Sequence, residues 1–271
     1  MALKSSVHIE TVLRNERTIL KKTFCEAPFK IADITEDKTQ KDLRLMIMSS
    51  SPGMLDGDEF NFRFQLGERT NLKFYTQSYQ RIFQMKKGAL QVINVRAEQG
   101  ASFVYFPHPV VPHKDSMFTS RNRIFLAAGC SLIWGEVINC GRKLNDEIFQ
   151  FGRYHGLTEI FFNERLVVKE NLFLVPSVMK LPGLGHMEGY THCASLLYLN
   201  ETAAVAELLQ RVADDLQDEE GIDFGVSTLP VNGLVVRLLG HKAEHLFALL
   251  NRLAERIEAK AAVAQKTFIR V

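Results

Sequence analysis

The chain has little of what marks the common metal, redox and nucleotide chemistries. Its four cysteines, Cys25, Cys130, Cys140 and Cys193, form no Cys-x-x-Cys pair, which argues against a zinc ribbon or a dithiol redox motif. There is no Gly-x-Ser-x-Gly elbow, since Gly225-Val226-Ser227-Thr228-Leu229 breaks the pattern, and no Gly-Lys-Ser/Thr phosphate loop, so a nucleotide hydrolase is not expected. No apolar run is long enough to span a bilayer, and the first ten residues lack the apolar core of a secretory signal. Neither sign of charge dominates. The 33 Lys and Arg against 31 Asp and Glu leave a net charge of +2, which offers no electrostatic footprint for nucleic acid or an anionic membrane. Cytoplasmic residence with reduced thiols is the expectation. With 46% hydrophobic and 24% charged residues the composition is that of an ordinary globular protein, and no low-complexity linker divides it, so residues 1–271 read as a single domain.

Proline, though scarce, is concentrated. Residues 106–116 read Phe-Pro-His-Pro-Val-Val-Pro-His-Lys-Asp-Ser, and the fixed φ angles and missing donors of Pro107, Pro109 and Pro112 bar a helix interior or a central strand there. Strand-like sequence flanks the segment at 101–106 and 123–138, so it is expected to be a rigid corner between two layers of sheet. His108 and His113 in this corner read as surface or hydrogen-bonded residues, with metal ligation as the alternative.

The clearest strand follows the turn signals Ser49-Ser50-Ser51-Pro52-Gly53 and Met54-Leu55-Asp56-Gly57-Asp58. Phe60, Phe62, Phe64 and Leu66 alternate with Asn61, Arg63 and Gln65, a period of two that gives one apolar face. Asp56 and Asp58 on the preceding turn read as aspartates bonding nearby backbone N–H groups. Edge or pairing strands are expected within 1–35. Further strands are expected at 43–48, 72–76, 90–95, 102–106, 123–127, 132–138, 147–152, 157–162, 165–169 and 171–176. Gly67, Gly88, Gly100, Gly129 and Gly141 punctuate them, a spacing that predicts a mainly β sandwich, barrel or solenoid-like stack.

The period changes only in the last third. Residues 181–192 form a glycine-rich loop carrying His186, Glu188 and His192, whose spacing matches no metal site of known geometry, before a strand at 193–199. A helix is predicted over 201–217, capped by Asn200 or Thr202, with a solvated acidic end at Asp214, Asp215, Asp218, Glu219 and Glu220. Strands at 222–226 and 234–239 precede a second helix over 242–260. His241-Lys242-Ala243-Glu244-His245 fits the His-x-x-Glu-His pattern of inverted zinc peptidases, so a metal-dependent hydrolase using His241, Glu244 and His245 is the alternative function. Glu136 and Glu147 flank Gly141-Arg142, and a pair of carboxylates can do acid/base work where a pocket brings them together, though the sequence puts no pocket in view.

Taken in order, several of these segments resemble the urease accessory protein family UreD, called UreH in some species. They are Ser51 through Asp58 (Ser-Pro-Gly-Met-Leu-Asp-Gly-Asp), Thr76-Gln77-Ser78 with Arg81-Ile82-Phe83, the proline corner, Gly141-Arg142 with Glu147-Ile148-Phe149, and Gly233-Leu234-Val235-Val236-Arg237-Leu238-Leu239-Gly240. Asp56 departs from the pattern, because many members have a second glycine there. The resemblance implies a mainly β fold of stacked, solenoid-like antiparallel and mixed sheets with two helices in the C-terminal third. It implies a non-enzymatic scaffold in urease maturation, one that binds UreF, reaches the GTP-hydrolysing UreG through it in a 2:2 assembly with UreF, and touches apo-urease. It also implies nickel insertion by way of a carboxylate-lined interior, with no tightly bound cofactor. Asp58 matches the family's Gly-Asp motif and is the first candidate carboxylate for transient nickel, with Asp56 and Glu147 next; Arg142 reads as a buried charge partner. For Asp58 the turn-capping and transport readings both stand.

Overall fold

The computed structural model describes residues 2–37 and 39–268, with side chains described through residue 259. Residues 1 and 271, the expected domain bounds, and the side chain of Lys260, at the expected end of the second helix, lie outside the described residues. The strands, in chain order, are β1 (Lys4–Arg14), β2 (Arg17–Cys25), β3 (Phe29–Asp33), β4 (Leu43–Ser49), β5 (Glu59–Leu66), β6 (Asn71–Thr76), β7 (Gln80–Ile82), β8 (Ala89–Ala97), β9 (Ser102–Phe106), β10 (Val110–Pro112), β11 (Met117–Leu126), β12 (Ser131–Asn139), β13 (Arg153–Phe162), β14 (Arg165–Leu174), β15 (His192–Asn200), β16 (Ile222–Thr228) and β17 (Gly233–Gly240). Helix α1 (Val205–Gln217) follows β15, and α2 (Ala243–Phe268) follows β17.

The strands form two sheets. The first runs β14-β13-β11-β8-β5-β1-β2, and the second runs β16-β17-β15-β12-β9-β6-β4-β3, with β7 and β10 attached beside β12. Through its middle the chain alternates between them, β5 to β6, β8 to β9 and β11 to β12. Each new strand pairs in parallel with its predecessor in the same sheet, β5 with β8 and β8 with β11, β6 with β9 and β9 with β12. A third, short parallel ladder of Met54, β7 and β10 closes the coil at one side. The stacked, mixed-sheet architecture with two late helices is therefore the one observed.

The two sheets differ in what covers them, and the sequence pattern follows. One face of the first sheet is open to water, so β5 alternates, with Phe60, Phe62, Phe64 and Leu66 buried and the residues between them exposed or half-buried. The second sheet is covered on both faces, and it carries unbroken apolar runs such as Phe103–Val104–Tyr105–Phe106, all buried. Its inner face meets the first sheet, where the Phe64 ring lies 4.8 Å from that of Phe74 and 5.2 Å from that of Phe103. Its outer face meets α1 and α2 in a second core built on Leu196, Val236, Leu246 and Leu250. Among the described residues no helix is long and apolar enough to cross a membrane.

Several expectations are corrected. The proline corner does link the sheets, β9 to β11, but it is not free of strand: β10 pairs with β7, and Pro112, which has no N–H to give, is its last residue. His108 is hydrogen-bonded, as expected, with its Nδ1 3.2 Å from Thr76 Oγ1, and it also stacks on Phe247 at 4.8 Å; the buried His113 instead meets the edge of Phe83 at 4.8 Å and serves packing. Residues 147–152 are not a strand. Gly141 and Phe149 have φ of +131° and +53°, and the Phe149 N–H returns to the Cys140 carbonyl at 2.8 Å, so the chain folds back on itself. Asn200 and Thr202 do not cap α1; the Asn200 side chain accepts from Thr202 in the turn ahead of it. The acidic end of α1 is not merely solvated, since Asp215 and Glu219 pair with Arg256 and Arg252 of α2.

Because Phe64 is fully buried where the two sheets interlock, Phe64→Ala is expected to cost about 3–5 kcal/mol, measured as a lowered urea midpoint. A loss below about 1 kcal/mol would mean that the sheets are not held together there.

Candidate functional site

The expected carboxylates stand in the turns of the stack. Asp58 is buried, and its two oxygens accept from the N–H groups of Leu3 and Leu55, both at 2.8 Å, tying the start of β1 to the turn before β5. Asp56 accepts from the N–H groups of Lys87 at 2.7 Å and Gly88 at 3.2 Å, and these bonds, Lys87 first, hold its pKa below the ordinary range. Glu147 takes a two-pronged ion pair from Arg142 and an N–H bond from Lys114, and the Arg142 bond holds its pKa down. Arg142 is thus a charge partner, but an exposed one. Among the described residues no group of three or more His, Cys, Asp or Glu side chains is placed to hold a metal ion.

The His-x-x-Glu-His pattern is taken apart by its own neighbours. His241 precedes α2 and packs on Tyr190, Glu244 accepts from the Tyr79 hydroxyl at 2.8 Å, and His245 lies 3.4 Å from Glu219. Glu136 and Glu147 make no contact with each other; the first is between the sheets and the second on the surface turn. In the 181–192 loop, His192 is buried at the start of β15, whereas His186 is exposed beside a cleft.

Glu136 is where the interior becomes polar. Strand register places Glu136, Ser195 and Arg237 side by side on β12, β15 and β17, facing the first sheet. Opposite them, Asn122, Thr158 and Glu170 form the matching row on β11, β13 and β14. The rows are joined at the inner end, where the Asn122 amide donates to Thr158 Oγ1 at 2.8 Å and to Glu136 Oε1 at 3.2 Å. Trp134 Nε1 donates to the same Glu136 oxygen at 3.1 Å. They are joined again at the outer end by an ion pair between Arg237 and Glu170. In the next row inward, the Ser120 hydroxyl donates to Asn122 Oδ1 at 3.2 Å, and Gln91, its register neighbour, accepts from the Gln80 amide at 2.8 Å.

Three spaces follow this polar line. A pocket of about 180 Å³ under Pro52, Gln77 and Tyr79 shares Gln80, Gln91, Tyr105 and Pro107 with a pocket of about 20 Å³. That one shares Glu136 with a cleft of about 460 Å³ between the open edges of the two sheets, bordered by Thr158, Glu170, Cys193, Ser195 and Arg237.

The electrostatics single out Glu136. Burial pushes its carboxyl up to about 7, the charge of Glu170 adds to the rise, and the bonds from Trp134 and Asn122 oppose it. Among the described residues no lysine or arginine forms an ion pair with it. Burial pushes the Cys193 thiol up to about 12, so the sulfur bordering the cleft stays protonated. Sequence reasoning named Glu136 only as half of a pair and passed over Asn122, Thr158, Glu170 and Arg237. The signal was there: Asn122 falls on the inward phase of Phe118, Ser120, Ile124 and Leu126, and Glu136 interrupts the apolar run 132–138.

Two pH effects follow. His192 is held down to about 4 by burial and then by the charge of Lys143, so the folded chain resists its protonation. Stability is therefore lost as pH falls from about 6.5 toward 4, and His192→Gln flattens that limb of a melting-temperature profile. Glu136 has the opposite sign. Its raised pKa makes the folded state lose stability as pH rises from about 4.5 through 7, so Glu136→Gln gains on the wild type between pH 5 and pH 8, by on the order of 2 kcal/mol. Parallel profiles for wild type and Glu136→Gln would show that the carboxyl is solvated like any surface glutamate.

The UreD urease accessory protein family matches residues 4–271. The urease accessory protein UreD of Flavobacterium johnsoniae is 42% identical over 254 residues, covering 93% of this chain and 92% of the relative. That of Acetivibrio thermocellus is 34% identical over 248 residues, covering 91% and 94%, and that of Haemophilus influenzae 32% over 270 residues, covering 95% and 100%. With a zinc-peptidase pattern that its own partners disperse and a match along nearly its whole length, the chain belongs to the UreD family of urease accessory proteins, non-catalytic chaperones of urease maturation.

Proposed function

We propose that this chain is the scaffold that joins apo-urease to UreF and, through UreF, to the GTP-hydrolysing UreG. In this reading nickel crosses the interior along the polar line past Glu136. The observation that carries the reading is that line itself. Polar side chains taken into a sandwich core are costly unless they are hydrogen-bonded, and here the buried or half-buried Gln80, Gln91, Ser120, Thr158 and Glu136 border three spaces that share lining residues, with Asn122 bonded between Thr158 and Glu136. Their donors are amide, hydroxyl and carboxyl oxygens, which hold a hydrated divalent ion weakly and let it go. A thiolate would trap it, and Cys193 is kept as the thiol. Asp58 and Asp56 are assigned to hold the turns through their N–H bonds, and Glu147 to staple its turn to Arg142, with Glu136 taking the transport role first expected of them.

The scaffold part is supported by apolar side chains left in water. Leu144, Val178 and Leu184 are 101%, 81% and 88% exposed on the segments after β12 and before β15, surfaces that a partner would cover. The reading takes residues 1–271 as one UreD-like domain, since both cores share the second sheet, working in the cytoplasm as a 2:2 assembly with UreF and with no tightly bound cofactor.

Urease purified from cells that express the urease genes without this chain is expected to be nickel-poor apo-protein. Complementing with Glu136→Gln is expected to lower nickel per urease active site on the order of tenfold, while the variant still co-purifies with UreF. Asp58→Ala is expected to act differently, lowering the amount of folded chain by loss of about 1–3 kcal/mol. Full nickel content with Glu136→Gln would remove the interior route and leave the scaffold.

A further inference from the structure

We propose that Arg237 is an electrostatic plug at the outer mouth of the polar line, holding Glu170 in an ion pair that an entering or leaving divalent cation has to displace. The inference rests on the interior route for nickel proposed above. It is carried by where the pair sits. Glu136, Ser195 and Arg237 are successive residues of one row in the second sheet, and Asn122, Thr158 and Glu170 of the facing row in the first. The inner end of the double row is closed by a neutral amide, Asn122, bonded to both Glu136 and Thr158. The outer end is closed by the one pair of opposite full charges that bridges these rows among the described residues, Arg237 of β17 with Glu170 of β14.

Both partners border the 460 Å³ cleft that reaches Glu136. Their side chains are 55% and 30% exposed, so the pair is at the lip, wet enough to open and close without unfolding an edge. A cation entering the cleft meets the guanidinium at the end of these rows, where the Glu170 carboxylate is already neutralised; Asp223 of β16, exposed at the same cleft, belongs to the neighbouring row. Once Arg237 swings into solvent, Glu170 becomes an attractive group one step from Ser195 and Thr158. Glu170 is also close enough to Glu136 for its charge to be felt there, so the lip and the inner carboxylate are electrostatically one system. The pair therefore sets the rate of cation passage, in contrast to Glu136, which sets whether the cation is held.

The chain carries its own reporter, because Trp134 is its single tryptophan and its indole N–H is bonded to Glu136. Ni²⁺ as the probe, mixed with the purified full-length chain in a stopped-flow fluorimeter, is expected to quench Trp134, and Glu136→Gln to abolish the saturable phase. Arg237→Gln is expected to speed that phase about fivefold, the equivalent of ~1 kcal/mol for an exposed ion pair, with its amplitude unchanged. Glu170→Gln, which leaves the guanidinium unpaired at the lip, is expected to slow it. A pair that merely fastened the two sheet edges would move both variants in the same direction. That outcome, or unchanged rates in both with Glu136-dependent quenching intact, overturns the plug and leaves the route standing. Quenching by Ni²⁺ that is indifferent to Glu136→Gln overturns the route and the plug with it. Arg237→Lys, which keeps the charge and loses the fork, is expected to lie nearer the wild type than Arg237→Gln.

Discussion

In a parallel coil every inward side chain lies over a register neighbour in the next turn of the stack, so a polar group placed in the core has to be met by another beside it. Phe64, Val95, Ile124 and Ile160 show the apolar form of this rule, four strands contributing one row of the core. Two rows away the same rule yields Gln91 beside Ser120, and between the two rows it yields Asn122 beside Thr158. The polar line is therefore a property of the stack, and it continues for as long as neighbouring strands supply groups that bond to one another. It reaches Glu136 because the second sheet places β12 opposite β11 and turns that residue inward.

The second sheet makes this arrangement affordable. With one face on the first sheet and the other under α1 and α2, it belongs to both cores, and its outer packing is unbroken behind the polar row. Leu196, Val236 and Leu238 alternate with Ser195 and Arg237, so each strand that gives a polar group to the inner face gives apolar groups to the outer one. The helices are fastened by charge as well as by leucines, since α2 supplies the arginines that neutralise the acidic end of α1. The polar inner face is thus backed by an apolar layer that carries the burial, about 25 cal/mol for each Å² removed from water.

Most of the strands were legible in the sequence because alternation reports a half-exposed strand directly, as at Phe60 through Leu66, and an unbroken run reports one buried on both faces, as at Phe103 through Phe106. The turn of residues 147–152 was misread as strand because Phe149 adopts a left-handed conformation that nothing in its own chemistry announces. The candidate carboxylates were chosen for lying on a motif, and motifs in turns are where backbone N–H groups need acceptors; Asp58, with its bonds to Leu3 and Leu55, answers that need. The polar row was harder to see because its members are far apart in sequence. Asn122, Glu136, Thr158, Glu170, Ser195 and Arg237 become neighbours only once the register of four strand pairs is known, and pairing of that kind is decided by tertiary packing.

A divalent ion inside a protein must be compensated at each step, because the interior withholds the water that stabilises it outside. A cage of carboxylates would do so too well, and an apolar bore would not do it at all. The arrangement between the two sheets lies between these extremes, with neutral oxygens along the line and one inner carboxylate that no lysine or arginine pairs with among the described residues. That missing countercharge is the physical reason to place the cargo at Glu136 instead of at Glu147, whose charge is already answered by Arg142. The same reasoning assigns opposite roles to two ion pairs that look alike. Arg142–Glu147 closes a surface turn and borders none of the three spaces, whereas Arg237–Glu170 stands at the end of the one polar row that leads to an unanswered charge.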